Sequence, residues 1–242
     1  MYYRPSLEDN QYSLPFDFCP IVDTENGKVI SIDIPKVRRP LPIKNQISQY
    51  LPGFIAEEYG KLRQDLKPLE VIQPAGVSYK LRGREIEWQN FKFHVGFNYR
   101  EGIVLNNITY NDHGNVRPLF WRLSIAEMVV PYGCPEFPHT RKHAFDLGEY
   151  GAGFMANSLS LGCDCKGAIS YLDASFNLRN GDPYEIKNAI CIHEEDSGIL
   201  HKHTDYRTNH VMVTRARKLV VSQTFTAANY DYLMYLPYKR YF

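Results

Sequence analysis

From Val77 onward the chain alternates hydrophobic and polar positions over short runs. Val77–Leu81, Ile86–Tyr99 and Gly102–Tyr110 set apolar or aromatic side chains at every second position, the period of a half-buried β-strand. Leu119–Val130 continues the series, and Leu219–Gln223 is β-branched and apolar enough to predict a buried strand. Asn111–Asn115 reads N-D-H-G-N, a turn, and a loop rich in Gly, Pro and Glu covers 133–138. Gly148–Phe154 (G-E-Y-G-A-G-F) holds too many glycines for a strand interior and predicts a bulge or a close backbone approach. Ahead of Val77, Asn26-Gly27 lies between two apolar runs in 21–34 and predicts a hairpin. Residues 35–44 read as an extended linker. Ile55–Leu66 is a short helix candidate, with Ile55, Tyr59, Leu62 and Leu66 near one face. Many strands at short spacing without crossover helices predict a mostly β chain built from two antiparallel sheets.

Composition narrows the function classes. The 28 basic and 27 acidic residues nearly cancel, so no broad basic field exists to attract nucleic acid or an anionic membrane. Eighteen Tyr, thirteen Phe and 44% hydrophobic residues allow a sizeable core. No apolar run approaches the roughly 20 residues of a membrane helix, and Met1–Asp9 lacks the pattern of a signal peptide. A soluble intracellular protein, cytoplasmic or peroxisomal, is expected, although the C-terminal Arg-Tyr-Phe is not a Ser-Lys-Leu signal. The five cysteines show no paired C-x-x-C spacing and read as buried small hydrophobes. Cys163 and Cys165 would project to one face if they lay in a strand.

Several polar residues carry chemistry in principle. Tyr132 follows Val129-Val130-Pro131 and would stand at a strand mouth as a rim aromatic. Asp146 reads in isolation as a turn cap or a partner of Lys142. Asp173, in Y-L-D-A-S-F, is assigned to a turn, and Glu194-Glu195-Asp196 to a solvated acidic turn. Among eight His, His201-Lys202-His203 would point two imidazoles to one side of a strand. Asn229-Tyr230-Asp231-Tyr232, after a buried strand, reads as a turn with two aromatic anchors.

The order of longer motifs changes that reading. F-H-V-G-F-N-Y-R-E-G-I-V-L (93–105), V-P-Y-G-C-P-E-F-P-H (130–139), R-K-H-A-F-D-L-G-E-Y-G-A-G (141–153), L-G-C-D-C-K-G (161–167) and F-T-A-A-N-Y-D-Y (225–232) occur in succession. Together they closely resemble the copper amine oxidases, with a fungal or yeast character, from about Leu14 to Tyr232. The resemblance implies that residues 76–242 form the N-terminal part of the catalytic β-sandwich, a partial antiparallel sandwich. Residues 1–75 would then be the tail of a preceding small α/β domain plus a linker.

It also implies a reaction. Tyr230 would be the tyrosine oxidised in place to topaquinone, with Asn229 beside it in the cofactor motif. Asp146 would be the proton acceptor and Tyr132 the residue that positions or gates the quinone. Such a quinone forms a Schiff base with a primary amine. A carboxylate then takes the α-proton, giving an aldehyde, with ammonia and hydrogen peroxide released on reoxidation by O2. The family is dimeric and pairs the cysteines that are Cys165 and Cys191 here. Its copper ligands, an H-x-H and a third His, lie beyond the cofactor tyrosine, and His201 and His203 fall upstream of it. After Tyr232, L-M-Y-L-P-Y-K-R-Y-F departs from the family pattern. The expectation is therefore a truncated fragment with no copper ligands of its own, inactive alone. The competing expectation is a non-catalytic β-sandwich remnant or interaction module.

Overall fold

A computed structural model of the chain describes residues 3, 14–37, 52–61, 63–228 and 230–239. The chain divides into two compact units, Met1–Pro68 with Val130–Ala144, and Leu69–Val129 with Phe145–Phe242.

In the first unit, β1 (Cys19–Val22) and β2 (Val29–Asp33) form the expected hairpin, with Gly27 at φ +70° in its turn. The helix α1 runs over Pro52–Tyr59 rather than Ile55–Leu66. Pro52 opens it at a position where no backbone N–H is needed. Gly60, at φ +83°, closes it by donating its N–H to the Ala56 carbonyl at 3.1 Å. Leu62, on the expected apolar face, and residues 38–44 of the expected linker lie outside the described residues. His139, in a short 3-10 turn, is buried with Nε2 3.2 Å from Asp17 Oδ1.

The second unit holds two antiparallel meanders. One is five-stranded: β3 (Lys80–Arg82), β4 (Glu85–Trp88), β5 (Phe91–Asn98), β6 (Gly102–Asp112) and β7 (Asn115–Leu123), in that order. The short strands β8 (Val129–Pro131) and β9 (His143–Phe145) pair as a ribbon. The second meander is four-stranded: β10 (Ser170–Asn177), β11 (Pro183–Thr204), β12 (Val211–Ala227) and β13 (Tyr230–Lys239). The inner faces of the two meanders share one core, in which Trp88, Phe93 and Leu105 meet Ile190, Leu219 and Val221. This is the antiparallel sandwich that the alternation predicts.

Some boundaries differ from the pattern. Ile86–Tyr99 is two strands, broken at Gln89, whose φ of +52° makes a tight turn that polar-apolar alternation does not signal. Asp173 sits in β10 at a bulge rather than in a turn, where it accepts the Asn188 N–H at 2.8 Å and pairs with Lys187. Cys163 and Cys165 lie in a turn, not a strand, so one is exposed and the other buried. Glu194-Glu195-Asp196 belongs to β11, and Glu194 is buried between the sheets rather than solvated. Its carboxylate takes hydrogen bonds from Gln73 Nε2 and the Ser78 N–H at 2.8 Å and from Trp88 Nε1 at 3.0 Å. Burial alone would raise its pKa. The three hydrogen bonds and the Arg217 guanidinium outweigh burial and hold it below the usual range.

Cys165 and Cys191 are joined in a disulfide that ties the loop after residue 159 to β11. Closing 26 positions, it contributes about 3 kcal/mol in the chain-entropy model. Gln223 on β12 is the other long-range tie. Fully buried, it accepts the Ile103 N–H at Oε1 and donates from Nε2 to the Ala152 carbonyl, both at 2.8 Å.

Two outcomes are expected. Thiol titration of the unfolded chain finds two more thiols after reduction than before; equal counts would remove the disulfide. Gln223→Leu strands a buried N–H and a buried carbonyl, and lowers the free energy of urea unfolding by about 2–4 kcal/mol.

Candidate active site

The site forms where β12 turns into β13. Ala227 pairs directly with Tyr230, so the connection is only Ala228 and position 229. Ala228 has φ +54°, a left-handed conformation that a residue with a Cβ seldom adopts. Asn229, expected in the cofactor motif, lies outside the described residues. Along β13, Tyr230 and Tyr232 project to one face, with ring centroids 6.4 Å apart. Tyr232 stacks on Phe225, its cross-strand neighbour, at 5.1 Å. Phe225, Ala227, Met234, Leu147 and Ala152 make a small apolar floor beneath them.

Asp146 meets this face. Its Oδ2 accepts a hydrogen bond from the Tyr232 hydroxyl, and its N–H donates to the Met128 carbonyl at 3.1 Å. The carboxylate is half-buried, whereas Tyr230 is 51% exposed. The structure thus brings Asp146 to Tyr232, on the strand face that also bears Tyr230. Tyr132 belongs to the first unit, at the end of β8, where its N–H donates to the Lys142 carbonyl at 3.2 Å.

What carries Asp146 there is the glycine-rich stretch. Ala152 and Phe154 donate to the carbonyls of Arg100 and Tyr99 at 3.0 and 2.9 Å. A Cβ on Gly151 or Gly153 would collide with the Tyr99 and Asn98 backbone, so the predicted close approach is real. Further along, the Asn157 N–H donates to the Thr224 carbonyl at 2.8 Å, and the Met155 carbonyl accepts the Thr226 N–H at 3.2 Å. Glu127 secures the near end, accepting the Gly148 N–H at 2.9 Å and pairing with Arg100 at 3.0 Å. The turn that receives the stretch is braced in turn by Glu101, which binds Arg122 and the Ser124 hydroxyl. Arg122, opposed by partial burial and helped by Ser124 and Asn98, holds the Glu101 carboxyl down at about 2.

The sequence marks Tyr232 only as an aromatic anchor of a turn, whereas it lies in β13, and it marks neither Glu127 nor Gln223 as a site residue. For Tyr232 a signal existed: two tyrosines at i and i+2 entering a strand share a face. For Glu127 and Gln223 the partners lie far away along the chain, and no local pattern names them.

The family model described as "Copper amine oxidase, enzyme domain" matches residues 80–240, and "Copper amine oxidase, N3 domain" matches residues 1–53. The chain belongs to the copper amine oxidase family. It is 62% identical over 237 residues to a peroxisomal primary amine oxidase of Pichia angusta, covering 97% of this chain and 34% of that protein. Copper amine oxidase 1 of Schizosaccharomyces pombe is 61% identical, with 97% of this chain and 33% of that protein covered. Among solved structures, a copper-containing benzylamine oxidase from Hansenula polymorpha superposes with a TM-score of 0.78 at 38% identity, covering 97% of this chain and 37% of that one. The chain thus spans about a third of the length of the curated relatives it matches.

Copper amine oxidases use copper and topaquinone. Among the described residues, no three His, Cys, Asp or Glu side chains converge to hold a metal, and His201 and His203 stand exposed on β11. No helix among the described residues is long and apolar enough to cross a membrane.

The brace under the glycine-rich stretch has a pH signature. Because Glu101 is lowered from 4.5 to about 2, its contribution is complete above pH 4.5 and is lost as pH falls toward 2. Acid titration of unfolding should show this loss, and Glu101→Gln should flatten it by about 1–2 kcal/mol, Arg122 being partly solvated.

Proposed function

We propose that this chain supplies the organic side of a primary-amine oxidase site. Tyr230 is the side chain converted to topaquinone, Asp146 the proton acceptor and Tyr132 the residue that positions or gates the quinone. The overall reaction is oxidative deamination of a primary amine to an aldehyde, with ammonia and hydrogen peroxide as the other products. One observation carries the reading: the Tyr232 hydroxyl holds the Asp146 carboxylate on the face of β13 that also bears Tyr230.

The quinone, when formed, supplies an electrophilic carbonyl to the amine. The remaining work falls to the chain's own side chains. Tyr232 donates to Oδ2 of Asp146 and fixes the carboxylate plane. Oδ1 is assigned to take the α-proton. The stack of Tyr232 on Phe225, over Leu147 and Ala152, keeps water from one side of that carboxylate. No three metal-ligating side chains converge among the described residues, so no step is routed through copper.

A second reading, a non-catalytic β-sandwich module that associates with a longer partner, draws on the apolar residues exposed along β7, with Trp121 82% exposed.

Exchange of residues 14–232 into the corresponding segment of the Pichia angusta relative separates the two. The chimera is expected to stain for quinone and to turn over a primary amine. Tyr230→Phe abolishes the stain. Asp146→Asn keeps it while lowering kcat by about 10²- to 10⁴-fold. A chimera without stain leaves only the second reading, and undiminished turnover in Asp146→Asn removes Asp146 as the acceptor. In the 242-residue chain alone with Cu(II) and O2, the tryptic peptide Leu219–Lys239 is expected to keep its unmodified mass.

A further inference from the structure

The outer face of the four-stranded sheet carries a second row of reactive side chains that amine oxidation does not use. Cys191, His193 and Glu195 alternate along β11 and share one face, while Ile190, Ile192 and Glu194 point the other way, Ile190 and Ile192 into the sandwich core. His193 is only 7% exposed. Its Nδ1 lies 3.3 Å from Cys191 Sγ and its Nε2 lies 3.2 Å from Glu195 Oε1. From β13, the Tyr235 hydroxyl donates to Glu195 Oε2. Burial, and then Glu195 itself, raise the Tyr235 pKa, so the phenol stays protonated.

This relay of sulfur, imidazole, carboxylate and phenol runs outward from the disulfide to a pocket of about 520 Å³. Cys165 borders the pocket, together with Cys163, Lys166, His193 and Tyr235. Cys191 is fully buried behind it. The two cysteines of one bond are therefore placed unequally: Cys165, 5% exposed, borders the pocket, and Cys191 lies against an imidazole backed by a carboxylate. A disulfide that serves only as a tie needs neither feature.

We propose that Cys165–Cys191 is an exchangeable disulfide, opened by a small-molecule thiol that enters this pocket and attacks Cys165, with Cys191 leaving as a thiolate held by His193. The attacking thiolate's electron pair forms the new sulfur–sulfur bond to Cys165. The Cys165–Cys191 bond breaks, and its pair departs on Cys191 Sγ. The proton given up by the incoming thiol is held on His193 Nδ1, hydrogen-bonded to that thiolate, with Glu195 balancing the imidazolium. A second thiol molecule then displaces the first from Cys165. The products are one oxidised thiol dimer and the reduced pair, so electrons balance without another oxidant or reductant. An imidazolium beside a cysteine lowers its pKa, and a lower leaving-group pKa speeds exchange.

The test uses the full chain with glutathione, acid quenching, alkylation by iodoacetamide and peptide mass spectrometry. Glutathione is expected on Cys165 and the alkyl group on Cys191. The native chain should react at least as fast as the same chain unfolded in urea, and His193→Gln should slow the native reaction about tenfold. A disulfide that reacts only after unfolding would overturn the proposal. So would glutathione found on Cys191, or a His193→Gln chain that folds and reacts at the original rate. Should that variant not fold, the comparison of native with urea-unfolded chain decides by itself.

Discussion

The buried amide of Gln223 is the contact on which the arrangement of the site depends. Gln223 sits in the middle of the most buried stretch of β12, yet its two polar ends are spent on other elements. One end takes the first N–H of β6 after Gly102; the other holds the carbonyl of Ala152 in the glycine-rich stretch. In an interior of low polarity each of those backbone groups would be costly to leave unmade. The amide therefore fixes three segments at once: the second meander, the start of the longest strand of the first, and the loop that delivers Asp146. Gly102, at φ +72°, is where a side chain would strike that same amide.

From this constraint the geometry of the carboxylate follows. The glycine-rich stretch must lie on the Asn98–Glu101 turn, because Gly151 and Gly153 leave no room for anything but backbone contact. Glu127 and Arg100 close its near end, and the pairing of Ala156 with Phe225 closes its far end. Asp146 is thereby presented to β13 at the height of Tyr232. The tight turn at Ala228 sets which residues of β13 face it, since a slip of one position would send both tyrosines to the opposite side of the sheet. Register and loop anchoring act together, and neither alone would bring the carboxylate to the aromatic pair.

The same alternation divides the acidic residues of β11 into two kinds. Glu194 turns inward and is consumed by three hydrogen bonds, a static tie between the sheets. Glu195 turns outward, toward His193 and Tyr235, in a row that opens onto a pocket. Neighbours in sequence with identical chemistry thus serve opposite ends, because a pleated strand gives them different surroundings.

Read from sequence, the strands after Val77, the Asn26-Gly27 hairpin and the close approach at the glycines were all legible, since period and turn chemistry depend on adjacent residues. The longer motifs made the family legible, and with it the Cys165–Cys191 pairing. The break at Gln89 and the strand location of Glu194–Asp196 were not, because each is chosen by packing that competes with local preference. Least legible was the bond from Tyr232 to Asp146. The sequence by itself determined that Tyr230 and Tyr232 follow a buried strand and that Asp146 precedes a glycine-rich stretch. Only tertiary structure decided that they meet, because hydrogen-bond partners far apart along a chain are selected by the buried contacts that fold it.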